Sequence, residues 1–205
     1  LKLSKLIPKD LLIDSISSIN IDIMNFLSID CSTDLFSLFI KTKSKTFNKI
    51  LQSDKSNIDS LMKNILDFLN ENDLYFNDIS SIFINQGPGN FSGLRGSLSI
   101  AKGICLSKNL NLYGYNTFLW SCAEFLNKEK DIYSIIQFRK KYFLKRFDKS
   151  LNSISRVEEI TKDEIIENYD TKFKVIPINI KKNFDENILK LNNLSAVNLD
   201  HNRLE

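Results

Sequence analysis

The chain is poor in the residue types that most often mark chemistry or sharp turns: one histidine, three cysteines, three prolines and six glycines in 205 residues. With His201 alone in the polar tail there is no H-E-x-x-H helix, no paired-histidine metal site and no ready base for a serine nucleophile. Cys31, Cys105 and Cys122 are odd in number, far apart and set among apolar neighbours. That excludes a disulfide framework or a C-x-x-C site and predicts buried free thiols in a reducing cytosol, hence a cytoplasmic protein. No apolar run approaches the ~18 residues of a membrane-spanning helix. Lys2, Lys5, Lys9, Asp10, Asp14 and Asp22 interrupt the first 23 residues, leaving no signal-peptide core. Basic and acidic residues nearly balance, 28 against 25, so charge over the whole chain does not announce a nucleic-acid binder.

What is present is apolar bulk and one concentrated motif. Hydrophobic residues make up 42% of the chain, including 15 Phe, enough for one large domain or two small lobes. Four of the six glycines, Gly87, Gly89, Gly93 and Gly96, fall within residues 82–106, IFINQGPGNFSGLRGSLSIAKGICL. The apolar run Ile82–Ile84 enters the turn Gly87-Pro88-Gly89-Asn90-Phe91-Ser92-Gly93. An amphipathic segment from Leu94 to about Lys108 follows, with Leu94, Leu98, Ala101 and Cys105 spaced for one helical face. Strand, glycine turn, helix is one way to bring backbone N–H groups to an anion. It is equally a tight turn that needs glycine for its backbone alone. Spacing excludes two standard cradles. Gly89 and Gly93 are three residues apart with Leu94 next, which is not a Walker A loop, and Ser92 stands where G-x-G-x-x-G needs its third glycine.

Periodicity predicts strands at Phe26–Ile29, Leu35–Ile40 and Thr46–Ile50, with turns at Thr33-Asp34 and Lys41–Lys45. A helix carrying Ile58, Leu61, Met62, Ile65, Phe68 and Leu69 follows. Then come the strand at Ile82, the glycine turn, the Leu94 helix, a strand at Leu112–Tyr115 and a helix from Thr117 to about Asn127. Beyond Lys130, Ile132–Phe138 and Tyr142–Phe147 read as a hairpin around Arg139-Lys140-Lys141, with helices at Lys162–Asn168 and Asp185–Asn192. By itself this order indicates mixed α/β.

The run GPGNFSGLRGSLSIAKGICL, continuing into NLNLYGYNTF, resembles the G-P-G-S-F-T-G-L-R…A-K-G-L-A signature of the TsaB (YeaZ) family. Phe26-Leu-Ser-Ile-Asp30-Cys-Ser-Thr33 resembles that family's opening I-L-A-I-D-T strand. Ser56–Lys63 stands at its H-S-E-x-L-L-P helix start, with Asn57 for His and Lys63 for Pro. The resemblance implies an actin-like, ribonuclease H-related α/β fold, with a first lobe over residues 24–129 and a short second lobe over 130–205. Met24 stands where such proteins begin, so residues 1–23 are expected to be an upstream extension. A P-x-Y-x-R segment would follow Arg203-Leu204-Glu205.

For function, the resemblance implies a subunit of the machinery that adds threonylcarbamoyl to the adenosine beside the anticodon of ANN-reading tRNAs. Its partners would be a TsaD-type catalytic subunit and a TsaE-type ATPase, with tRNA reached through the complex, and the chain alone could pair as a homodimer. ATP or threonylcarbamoyl-adenylate would belong to the complex, and no cofactor is assigned to this chain. Catalysis is not expected here. TsaD-type proteins carry V-N-H-x-x-x-H, and Thr117 and Ser121 occupy those histidine positions; neither is an adequate ligand for a borderline metal. Ser92 lacks the G-x-S-x-G elbow, and Cys31 has no cation beside it to lower its pKa. On the second-lobe hairpin Gln137 replaces the family's Asp, Arg139 remains, and Tyr142 or Phe143 falls near its Glu.

Candidate nucleotide- or partner-binding residues are Asp30, Ser32, Thr33, Gly87, Pro88, Gly89, Phe91, Ser92, Gly93 and Arg95. Asp30 either approaches a nucleotide or caps its own turn. Arg95, expected in the first helical turn, either binds an anion or bridges to Asp30. Ile58, Leu61, Met62, Ile65 and Leu69 either carry a pairing interface with the Leu94 helix or pack the core. The alternative function is a small ATP-dependent kinase or phosphotransferase of the same superfamily. It would need a second-lobe adenosine site and a catalytic Asp. An unrelated glycine-turn binding module is the third option.

Overall fold

A computed structural model describes residues 25–52, 57–128, 130–138, 140–169, 175–177 and 195–196. Three strands open the fold: β1 (Phe26–Asp30), β2 (Leu35–Lys41) and β3 (Thr46–Gln52). Then follow α1 (Asn57–Asn70), β4 (Ser81–Asn85), α2 (Phe91–Lys108), β5 (Asn111–Tyr115) and α3 (Thr117–Cys122). The second part holds β6 (Asp131–Phe138), β7 (Lys141–Asp148), β8 (Glu158–Ile160), α4 (Lys162–Tyr169), β9 (Val175–Pro177) and β10 (Ser195–Ala196). One six-stranded sheet runs β10-β5-β4-β1-β2-β3, and a four-stranded sheet runs β8-β7-β6-β9. β1 lies antiparallel to β2 and parallel to β4, which is parallel to β5. This mixed sheet is the actin-like, ribonuclease H-like architecture.

β1 and β4 are buried at every position, as central strands of a sheet covered on both faces must be. Their side chains divide by period two. Leu27 and Ile29 of β1, Ile82 and Ile84 of β4 and Leu112 of β5 join Leu61 and Ile65 of α1 and Ala101 and Ile104 of α2 in the larger core. Phe26, Phe39, Phe83, Tyr113, Tyr115 and Trp120 fill the opposite face. Phe83 packs edge-on to Phe26 and stacks on Tyr113, with ring centroids 5.0 and 5.2 Å apart. Each such fully buried side chain contributes roughly 1.5–3 kcal/mol. The second sheet has its own core, in which Phe118, Leu119 and Cys122 of α3 meet Ile132, Ile136 and Phe147.

Four sequence expectations change. α2 starts at Phe91, capped by Asn90, whose side-chain oxygen accepts from the Gly93 N–H at 3.1 Å. Phe91, Ser92 and Gly93 therefore belong to the helix, and Arg95 lies beyond its first turn. The inward stripe of α2 is Gly93, Ser97, Ala101, Ile104 and Cys105, with Leu94 and Leu98 only half-buried. Small residues hold the centre because the helix crosses close to β1. The helix from Thr117 is also shorter, ending at Cys122 before a 3-10 turn over Ala123–Phe125. On α1, Leu61, Ile65 and Leu69 are 0–2% exposed, so they pack the core and present nothing to a partner. Met62 of that set is exposed and is joined by Leu66 one turn on, while the Ile58 side chain lies outside the described residues. Residues 1–23, Arg139, the helix expected at Asp185–Asn192, His201 and the chain's end also lie outside them. Ser195–Ala196 pairs antiparallel with Tyr113 and Gly114 of β5, so this part of the tail joins the first sheet.

Candidate functional site

The parallel strands β1, β4 and β5 end side by side, and in open α/β sheets the crevice at such ends is where ligands bind. Asn85 sits opposite Tyr115, and Asp30 follows Ile29, which sits opposite Ile84. Alternation places Asp30, Asn85 and Tyr115 on one face of three adjacent strands. All three are buried, at 8, 1 and 2% exposure.

Asn85 ties this end together. Its Nδ2 donates to Asp30 Oδ2 at 2.9 Å and to Ser32 Oγ at 3.1 Å. Its Oδ1 accepts from the Gly87 N–H at 2.8 Å and lies 3.2 Å from the Thr117 hydroxyl, which also donates to the Pro88 carbonyl at 2.6 Å. The amide orientation follows from the partners, since a carboxylate only accepts and a backbone N–H only donates. Asp30 accepts in addition from the Ser32 N–H at 2.9 Å and from the Tyr115 hydroxyl at 3.5 Å. It thus caps its own turn and binds the adjacent strands. Thr33 closes the turn by accepting from the Leu35 N–H and donating to the Leu35 carbonyl.

The glycines are explained by close approach. Gly87 has φ of +98°, a region that L side chains rarely adopt, and precedes a cis peptide bond to Pro88. A Cβ on Gly89 would overlap the Ser32 carbonyl oxygen, and one on Gly93 would overlap that of Cys31. The Asn90 N–H donates to the Ser32 carbonyl at 2.7 Å, and the Gly87 carbonyl accepts from the Thr117 N–H at 2.8 Å. So the turn is clamped between the β1–β2 loop and the start of α3. Three of the N–H groups that an anion cradle would use, those of Gly87, Asn90 and Gly93, are engaged inside the protein.

Of the ten site candidates, Asp30, Ser32, Thr33, Gly87, Pro88, Gly89 and Gly93 come together in this cluster. Phe91 and Ser92 face solvent, and the Arg95 guanidinium lies 5.1 Å over the Phe91 ring instead of bridging to Asp30. Thr117 is buried within the cluster. Ser121, at the second position aligned with a metal-binding histidine, is buried and shares a 2.6 Å hydrogen bond with Ser134 of β6, tying α3 to the second sheet. Among the described residues no three His, Cys, Asp or Glu side chains gather as a metal site would need. Burial, then the charge of Asp30, pushes the Cys31 thiol well above the usual cysteine range, and the Tyr115 phenol likewise shifts upward. Neither is poised as a nucleophile or base at neutral pH. Asn85 and Tyr115 were missed from sequence. The available signal was phase: Asn85 alternates with Ile84 and is in step with Phe83, so it had to point into the aromatic face.

Residues 52–137 match the family model described as TsaD, tRNA N6-adenosine threonylcarbamoyltransferase. The tRNA threonylcarbamoyladenosine biosynthesis protein TsaB of Buchnera aphidicola subsp. Baizongia pistaciae is 30% identical over 105 residues, 51% of this chain and 48% of that protein. Its counterpart from Buchnera aphidicola subsp. Acyrthosiphon pisum is 23% identical over 179 residues, 77% of this chain and 81% of that protein. The chain is similar to proteins of the TsaB/YeaZ family. The first TsaB match thus spans about half of that relative's length. In fold, YeaZ from Pseudomonas aeruginosa superposes with a TM-score of 0.58 at 13% identity, covering 67% of each chain. A second Pseudomonas aeruginosa structure, of a protein similar to peptidase YeaZ, gives 0.60 at 13% identity over 73% of this chain and 72% of its own. Among the described residues no helix is long and apolar enough to cross a membrane.

Proposed function

We propose that this chain is a non-catalytic subunit of a tRNA threonylcarbamoyladenosine-forming assembly. It would pair with a TsaD-type catalytic subunit and work with a TsaE-type ATPase in the cytoplasm. The observation that carries this reading is the closed state of the strand ends. Asp30 is held by Asn85, Ser32 and Tyr115, and Thr117 is turned onto Pro88, so the cluster holds a turn in place. TsaB, the name its curated relatives bear, supports the same pathway. The pairing surface would use the exposed Met62 and Leu66 of α1 and Leu106 of α2. ATP and threonylcarbamoyl-adenylate would be handled by the partners.

Calorimetric titration of the isolated chain with ATP and magnesium tests the non-catalytic reading. Scaffolding predicts no saturable heat at millimolar nucleotide and no release of phosphate. Tight binding with turnover would overturn it in favour of a phosphotransferase.

A further inference from the structure

The near-neutral charge of the whole chain conceals a local excess. Residues 128–156, which contain the β6–β7 hairpin, hold nine Lys or Arg against three Asp or Glu, leaving 19 basic against 22 acidic residues elsewhere. β7 reads KYFLKRFD, so alternation sets Lys141, Phe143, Lys145 and Phe147 on the face where Phe147 packs against α3; Lys141 is exposed, Lys145 is half-buried at the margin of that core, and the exposed Lys149 follows in the turn after the strand. At about 3.3 Å per residue Lys141 and Lys145 stand ~13 Å apart along the strand. The hydrogen bond from the Asn127 N–H to the Lys149 carbonyl, 2.7 Å, brings the exposed Lys128 and Lys130 beside Lys149. Lys140 is exposed at the hairpin tip.

Little on the protein neutralises these lysines. Among the described residues their ion pair is Lys141 with Glu159, at 2.9 Å. Asp148 turns back into its own loop, accepting from Ser150 N, Asn152 N and Asn152 Nδ2, and Asp131 is the other described acid on the two strands. Lys145 lies over the Phe147 ring, 5.6 Å from its centroid. Arg146, on the opposite face, is cross-strand from Tyr133 with its guanidinium 5.0 Å over that ring.

The geometry points to this lysine cluster as a docking surface for the phosphodiester backbone of tRNA. The inference rests on the reading of the chain as part of a tRNA-modifying assembly, and it assigns the chain a direct contact with the substrate. Charge complementarity favours RNA: clustered ammonium groups, those of Lys128, Lys130, Lys140, Lys141 and Lys149 on exposed residues, release counterions from a polyphosphate without reading its sequence. Binding of this kind is salt-dependent and indifferent to the anticodon.

The test is fluorescence anisotropy of a labelled tRNA transcript with the full chain, titrated between about 50 and 200 mM salt. Four substitutions, Lys128→Gln, Lys130→Gln, Lys145→Gln and Lys149→Gln, should together weaken binding at least about tenfold and reduce the salt slope by roughly three. The four Lys→Arg changes should preserve both. Lys128→Gln with Lys130→Gln lies outside the strands and should give about half of the slope change with an unaltered melting curve. Unchanged affinity in the fourfold Gln variant, no tRNA binding by the parent chain, or capture by heparin or anionic vesicles without tRNA would each overturn the inference. Reconstituted modification is measured in parallel. Loss of docking with intact dependence on the chain rejects this surface alone, whereas no dependence on the chain rejects the functional reading.

Discussion

The side-chain amide of Asn85 donates to the Asp30 carboxylate at 2.9 Å across the central parallel pair of strands, and both residues are buried. The same amide holds the first N–H of the glycine turn, at Gly87. Asp30, a candidate nucleotide contact by sequence, is here part of the turn's foundation. Replacing Asn85 by Leu leaves the Gly87 N–H and one Asp30 oxygen buried without this partner, which costs about 2–4 kcal/mol. Asn85→Asp should do at least as much harm, because it sets a second carboxylate against the first. Urea unfolding monitored by the single tryptophan, Trp120, would measure both.

Glycine substitutions should divide by position. Gly89→Ala and Gly93→Ala drive a methyl group into the Ser32 and Cys31 carbonyl oxygens, and each should destabilise by about 2 kcal/mol or more. Gly103, inside α2, has open space where a Cβ would stand. There Ala removes a helix-interior glycine and should stabilise by roughly 0.5–1 kcal/mol. Parallel thermal melts of the three variants check the sign at each site.

The first sheet was legible because its strands are short, apolar and separated by polar turns, while α1 shows helical spacing over four turns. Other features were not. β8, β9 and β10 are two or three residues long, and pairing with neighbours creates them where local pattern carries little signal. The start of α2 was misplaced because Gly93 reads as a turn residue, although its role is to let the helix approach Cys31. The site was half legible. The glycine motif drew attention to the correct turn, but Asn85 looked like the polar end of a strand until Asp30 and Gly87 were seen on either side. Thr117 and Ser121 drew attention by standing at the positions of a histidine pair. Their hydrogen bonds to Pro88 and Ser134 give them the positive role of fixing α3.

Alkaline pH should weaken the fold through its buried thiols and phenol. Burial raises the thiols of Cys31 and Cys105 above the ordinary cysteine value of 9.0, Cys105 to about 11, and raises the Tyr115 phenol above 10.0. The native state therefore keeps protons that the unfolded chain releases. Their contribution is whole below about pH 9 and declines as pH rises past the unfolded values toward the folded ones. The melting temperature should be insensitive to these groups from pH 7 to 8.5 and fall steadily from pH 9 to 11. A Cys31→Ala, Cys105→Ala variant should show a shallower fall. An equal slope in both proteins would assign the loss to other groups.

The most direct measurement is reconstitution of threonylcarbamoyl transfer to an ANN-reading tRNA from a TsaD-type subunit and a TsaE-type ATPase of the same cell, with this chain added or withheld. Modified adenosine is quantified by mass spectrometry. A non-catalytic partner predicts that product forms only when the chain is present, and that the chain alone forms none. Equal product without the chain, or product from the chain without its TsaD-type partner, would contradict it.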